Sequence, residues 1–199
     1  MKIAAIVLAA GASRRLGQPK QLLAFRGKNL LNRSLQAARE AGCEPLLAVL
    51  GANAELIRPT IEDREARIVI NGEWSEGMAS SIRCGVQALT DETDAVILLA
   101  CDQPQLDSAH LAALIAKWRD THCDIIASKY GGTIGVPALF NRSMFPDLCA
   151  LRGDQGARSL FQRADLKSEC VAWPPGAFDV DTIEDATILR HLAKPSAND

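Results

Sequence analysis

A run of aliphatic and β-branched residues, Ile3 to Val7, breaks into the stretch Leu8 to Lys20 (LAAGASRRLGQPK), and this junction restricts the chain more than any other. The run reads as a buried strand, and the glycines and small residues behind it force an open loop where the strand ends. Ala9, Ala10, Gly11, Ala12 and Ser13 carry little side chain, so their backbone N–H groups approach an anion closely, while Arg14, Arg15 and Lys20 supply mobile positive charge. Such a loop suits phosphate; the plain alternative is a surface turn with solvated basic residues. The stretch lacks the Walker spacing and also lacks GxGxxG, so the ATPase and dinucleotide-binding readings lose their main support.

With 199 residues the chain is long enough to bury one large α/β core without disulfides or metals. Hydrophobic residues make up 48% and charged residues 23%, and the net charge of -2 gives no broad attraction to nucleic acid or a membrane, so any basic function must be local. Six cysteines, at 43, 84, 101, 123, 149 and 170, stand singly, without a CxxC pair or a zinc spacing, and are expected to be free buried thiols. No apolar run reaches the length of a membrane span, and no leader pattern is visible, so a reducing, cytoplasmic setting is expected. Residues 1–193 are expected to form a single domain, with 194–199 a frayed polar tail.

Downstream of the loop, Gln21 to Phe25 and the turn Arg26-Gly27-Lys28 lead into a helix capped by Asn29, with Leu30, Leu31, Leu35, Ala38 and Ala41 on one stripe and Gly42 at its end. Pro45 to Leu50 reads as a strand, Ala54 to Glu62 as a helix blemished by Pro59, and Arg67 to Ile70 as a third strand. That alternation predicts parallel pairing. Helices are expected over Ala79 to Leu89, Asp107 to Arg119, Arg142 to Ala150, Gly156 to Arg163 and Ile183 to Leu192, and strands over Ala95 to Ala100, Asp124 to Ser128 and Ser168 to Trp173. From Tyr130 to Phe140, Gly131, Gly132, Gly135 and Pro137 puncture an extended segment that reads as a separate β region.

Asp102 follows the most apolar strand, where a carboxylate is expensive unless it caps, pairs or binds a hard cation such as Mg²⁺. In an open parallel sheet this strand end faces the same crevice as the first loop. Asp179 and Asp181, two apart, point the same way in an extended segment and suit a metal contact, while an Asx turn or helix cap explains at least one of them. Gly77, Ser80 and Ser81 at a helix start, and Asp154 and Arg158 within Arg152 to Arg158, read equally well as caps and solvated loop residues. His110, His122 and His191 have no carboxylate or cysteine partner in sequence and read as surface or packing residues.

The opening stretch resembles the signature LAAGxSxRxGxPK of the sugar-phosphate and cofactor nucleotidyltransferases, with Leu8, Ala9, Ala10, Gly11, Ser13, Arg15, Gly17, Pro19 and Lys20 in its slots. With Gly77 to Ile82, Cys101 to Pro104, Gly135 to Pro137, Gly153 to Arg158 and Asp179 to Asp185, the chain resembles the MobA-like NTP transferases over essentially its whole length, most of all the molybdenum cofactor cytidylyltransferases. One departure is Ile183, where the family usually has proline.

The resemblance implies a Rossmann-like three-layer α/β/α nucleotidyltransferase fold with a mostly parallel central sheet and a small β extension. It implies an Mg²⁺-dependent enzyme that transfers a nucleoside monophosphate, CMP from CTP, to a phosphorylated acceptor such as molybdopterin, releasing pyrophosphate. Arg15, Lys20 and Asp102 take catalytic roles in that reading. Leu8, Ala9, Ala10, Gly11, Ser13, Gly77, Ser80 and Ser81 hold the nucleotide with them, Asp102, Asp181 and Asp179 hold metal, and Gly135, Pro137, Asp154 and Arg158 hold the acceptor. A molybdoenzyme or cofactor chaperone is the implied partner. A sugar or polyol phosphate acceptor, or a non-catalytic nucleotide-binding delivery protein, are the alternatives.

Overall fold

The computed structural model describes residues 1–154 and 156–193; the expected frayed tail 194–199 and Gln155 lie outside the described residues. The chain runs through β1 (Ile3–Ala9), β2 (Ala24–Phe25), β3 (Lys28–Asn29), α1 (Leu30–Glu40), β4 (Leu46–Leu50), α2 (Ala54–Ile57), β5 (Arg67–Ile70), α3 (Met78–Gln87), β6 (Ala95–Ala100), α4 (Ser108–Thr121), β7 (Ile125–Tyr130), β8 (Thr133–Asn141), α5 (Phe145–Ala150), β9 (Ser168–Ala172) and α6 (Ile183–Leu192). Seven strands form the central sheet in the order β5-β4-β1-β6-β8-β7-β9, and β2 and β3 make a separate two-stranded piece. Within the central sheet pairing is parallel except on both sides of β8, and β2 pairs antiparallel with β3. The three-layer, mostly parallel architecture is the expected one.

Alternation along the strands sets the layers. Ile3, Ala5, Val7 and Ala9 of β1 face one side, where they join Leu31 and Leu35 of α1 and Leu111, Leu114 and Trp118 of α4. Ala4 and Ile6 face the other side with Ala79, Ile82 and Val86 of α3 and Leu148 of α5. Burial on both faces is why the parallel strands are continuously apolar rather than amphipathic. A third, smaller cluster joins Leu16, Phe25 and Leu30 to Val180, Ala186 and Leu189, fastening the start of α6 to the loop after β1.

Three expectations change. The segment from Tyr130 to Phe140 is no separate region: β8 lies inside the main sheet, with Leu98 opposite Ala138 and Ile126 opposite Leu139. The expected helix over Ala54 to Glu62 is a single α-turn ending at Ile57, followed by a 3₁₀ turn over Arg58–Thr60 that contains Pro59, since proline cannot donate within a helix. Residues Arg158–Gln162 form a 3₁₀ turn in place of the expected helix over Gly156 to Arg163. All six cysteines are free, but only Cys43, Cys101 and Cys123 are buried; Cys170 is exposed. Among the described residues no helix is long and apolar enough to cross a membrane.

Candidate active site

The loop after β1 is held open by two side chains. Ser13, in the left-handed region at φ +51°, accepts Leu16 N–H and Gly17 N–H on its carbonyl and Lys20 N–H on its hydroxyl at 3.1 Å. Gln21, fully buried, donates through Nε2 to the carbonyls of Ala9 (2.8 Å) and Gly11 (3.0 Å). These bonds stand where the irregular backbone has no ladder partner, and they fix the origin of the Lys20 side chain.

Lys20 Nζ donates to Asp102 Oδ2 and, at 2.8 Å, to Asp181 Oδ1. Arg15 reaches the other Asp181 oxygen at 2.7 Å, with most of its side chain in solvent. Asp102 stands just beyond β6, which pairs directly with β1, and its carbonyl accepts Val180 N–H at 2.9 Å. That bond and the third apolar cluster carry the Asp179–Asp181 segment to the loop. Burial opposes charge on Lys20, but Asp102 and Asp181 outweigh it and hold the ammonium above its usual pKa. Burial likewise works against the Asp181 carboxylate, and Lys20 and Arg15 outweigh it, holding the group below the usual range. Asp179 goes the other way, pushed up by burial and by the negative Asp102 and Asp181.

Two adjoining cavities meet at Asp102. The first, about 490 Å³, is lined by Leu8, Ala10 and the Gly11–Arg15 loop, by Lys20 and Asp181, and across from them by Trp74, Gly77, Met78 and Ser81. The second, about 590 Å³, is lined by Gln103, Tyr130, Gly135, Arg158, Phe161 and Asp179, among others. Met78, Ala100, Asp102 and Asp154 belong to both. Beside Asp154, one of these shared residues, the chain needs a glycine: Gly77 sits at φ +110°, and a Cβ there would lie 2.1 Å from Asp154 Oδ1. Gly153 O accepts Ala79 N–H, so the segment 151–154 clasps the first turn of α3.

The expected residues therefore divide. Leu8, Ala10, Gly11, Ser13, Arg15, Lys20, Gly77, Ser81, Asp102 and Asp181 line the first cavity, and Gly135, Asp154, Arg158 and Asp179 the second. Ala9, Ser80 and Pro137 line neither. Ala9 is 1% exposed and points into the core. The Ser80 hydroxyl is turned inward to the carbonyls of Glu73 and Gly77. Pro137 is buried in β8. Gln21, Met78, Trp74, Gln103 and Tyr130 are not among the candidates named from sequence; Met78 and Gln103 carry a signal, their places inside the Gly77 to Ile82 and Cys101 to Pro104 segments.

Asp102 and Asp181 present hard oxygen donors to one point, where Lys20 Nζ now meets both, and that donor set fits a divalent cation. Among the described residues no cluster of three or more potential ligands is preformed. An ion such as Mg²⁺ would therefore complete its shell from phosphate oxygens and water, as it ordinarily does.

The chain is 31% identical to nicotine blue oxidoreductase of Paenarthrobacter nicotinovorans, over 92% of this chain and 93% of the relative. It is 32% identical to the purine catabolism protein PucB of Bacillus subtilis, over 93% and 94%. The crystal structure of Rv0371c from Mycobacterium tuberculosis superposes with a TM-score of 0.84 at 31% identity, covering 98% of this chain and 99% of that one, and a manganese complex of the same protein superposes at 0.80. The family model described as the MobA-like NTP transferase domain matches residues 5–169, the span that carries the loop after β1, the α3 start and Asp102, and the chain belongs to that family.

Proposed function

We propose that this transferase moves CMP from CTP to the phosphate of molybdopterin or a closely similar phosphorylated cofactor, with release of pyrophosphate. The observation that carries the reading is the position of Asp102 on the common edge of two substrate-sized cavities, with Lys20 bonded to it from the nucleotide side. A triphosphate in the first cavity would meet the open N–H groups of the loop, Arg14, Arg15 and Lys20. Gly77 would let a base lie close to the backbone, and the Ser81 hydroxyl, anchored by Asn71 Nδ2 at 3.0 Å, would meet its edge. Cytidine is favoured by resemblance, through LAAG in the loop and GMASSI at the start of α3.

The acceptor would enter the second cavity, where Tyr130, Val136 and Phe161 offer apolar and aromatic surface and Arg158 a cation for its phosphate. A phosphate is already anionic at neutral pH, so its oxygen attacks the α-phosphate without a protein base, and the task of the protein is alignment and charge stabilisation. Lys20 and Arg15 would steady the departing pyrophosphate. Asp102 and Asp181 would hold a divalent ion, Mg²⁺, which when bound neutralises phosphate charge; the manganese complex of Rv0371c supports a divalent ion in this family.

The test is pyrophosphate release from CTP, GTP, ATP and UTP with Mg²⁺ against molybdopterin and a panel of sugar and polyol phosphates, with NAD(P)H oxidation followed in parallel because one relative is named an oxidoreductase. Release confined to CTP with molybdopterin is expected. Preference for GTP, release with a sugar phosphate instead, or redox turnover without pyrophosphate would each overturn the assignment.

A further inference from the structure

The two carboxylates suited to a divalent ion are not waiting open. Lys20 Nζ lies within hydrogen-bond reach of Asp102 Oδ2 and 2.8 Å from Asp181 Oδ1, and the side chains of Lys20 and Asp102 are each only 17% exposed. A divalent ion shared by those oxygens must approach each to about 2.0–2.1 Å, and so must take the volume that the ammonium fills. Two cations cannot share it. The backbone of Lys20 is pinned by the Ser13 hydroxyl and by the 3₁₀ turn over Lys20–Leu22, so any relief must come from the side chain alone. Its four-carbon stem allows that swing, and the cavity lined by the Gly11–Arg15 loop lies beside it.

We propose that Lys20 is a placeholder cation: its ammonium occupies the Asp102–Asp181 pair in the free protein and cedes it to a divalent ion only when a triphosphate in the loop draws the ammonium away. Metal and nucleotide binding are then coupled through one side chain, and the metal alone binds poorly. The inference rests on the reading of Asp102 and Asp181 as the ion's holders. Arg15 cannot serve in the same way, since it touches Asp181 only and is 71% exposed.

The test is binding of Mn²⁺ alone to the full chain, followed by loss of the free-ion electron paramagnetic resonance signal, with folding of each variant checked by its thermal melt. Lys20→Met is expected to tighten Mn²⁺ binding by about tenfold or more, a coupling within the ordinary range. Lys20→Arg, which keeps a cation in place, is expected to stay near wild type and guards against a poorly folded methionine variant. Arg15→Met removes the same charge from the exposed side and should shift affinity far less. Preformed Mn²⁺–CTP should bind wild type well, read by water proton relaxation.

Equal Mn²⁺ affinity for wild type and Lys20→Met overturns the placeholder role, while loss of Mn²⁺–CTP binding in Asp102→Asn would leave the metal reading standing. If neither Asp102→Asn nor Asp181→Asn weakens Mn²⁺ binding in the Lys20→Met background, the ion does not use these carboxylates and both readings fall. An Arg15→Met shift as large as that of Lys20→Met would reduce the effect to bulk charge and overturn the placeholder role too.

Discussion

Lys20 gathers three interactions that no single property of lysine explains: a backbone N–H held by Ser13, and an ammonium shared by two carboxylates from distant parts of the chain. Electrostatic groups poised at developing charge in a desolvated site are worth about two to three orders of magnitude in rate. Lys20→Ala is therefore expected to lower turnover about a hundredfold or more, measured as pyrophosphate release at saturating CTP; near-normal turnover would remove Lys20 from the mechanism. That Lys20, Arg15 and Asp102 belong together was legible, because loop spacing and the strand-end carboxylate both point to one edge of a parallel sheet, whereas Asp181 was tied to them by family resemblance. Ala9, Ser80 and Pro137 line neither cavity, and local geometry gives the reason for the first two. Neighbours in a strand face opposite ways, so Ala9 points into the core while Leu8 and Ala10 line the cavity. On α3, Ser80 turns back to its own N-terminal carbonyls while Ser81 lines the cavity. Nothing local in the sequence marks Gln21, because the bonds its amide gives the carbonyls of Ala9 and Gly11 exist only once the loop has folded back on the strand end.

At the level of elements, α6 does more than close the chain. Its start carries a reciprocal cap: Thr182 Oγ1 accepts Asp185 N–H at 3.2 Å, and Asp185 Oδ2 accepts Thr182 N–H at 2.8 Å. The same Asp185 oxygen takes Asp181 N–H at 3.1 Å, so the cap sets the backbone of the residue that Lys20 and Arg15 grip. Loss of such a cap costs about 1 kcal/mol. Thr182→Ala should lower the urea unfolding free energy by about that amount and also weaken nucleotide-dependent metal binding; unchanged binding with the stability loss would separate the cap from the site. The Asn29 cap of α1 was readable because it depends on local sequence. The place of β8 was not. Its glycines and proline resemble an edge or a separate hairpin, but the proline is tolerated inside the sheet beside a register shift between Ala127 and Ser128, and that pairing depends on residues some 40 positions upstream in β6.

The sheet and one of its helical layers are joined by a buried polar thread that titrates. His110 of α4 is 7% exposed, stacks on Trp173 at 4.7 Å between ring centroids, and meets Ser128 Oγ of β7 at 2.7 Å. The single Ser128 proton goes to the carbonyl of Pro137 in β8, so the imidazole donates from Nε2. Burial, only partly offset by Asp107, pulls the His110 pKa down to about 4 from 6.5. A base with a depressed native pKa leaves stability untouched above the unfolded value. Below pH 6.5 the unfolded chain takes up a proton that the native chain refuses, so stability falls with pH until about 4, where both states are protonated. At about 1.4 kcal/mol per unit, the full loss across this window is about 3–4 kcal/mol, a large share of the stability of an ordinary domain. Asp181 and Asp63, with depressed values, keep their contribution through this window and lose it only at lower pH, while Asp179, with a raised value, works weakly in the opposite direction. Urea unfolding at pH 7 and pH 4.5 should therefore show a marked acid loss in the wild type. In His110→Gln, less stable at pH 7 for want of the ring stack, most of that difference should vanish; an equal slope in the two proteins would place the acid sensitivity elsewhere in the molecule.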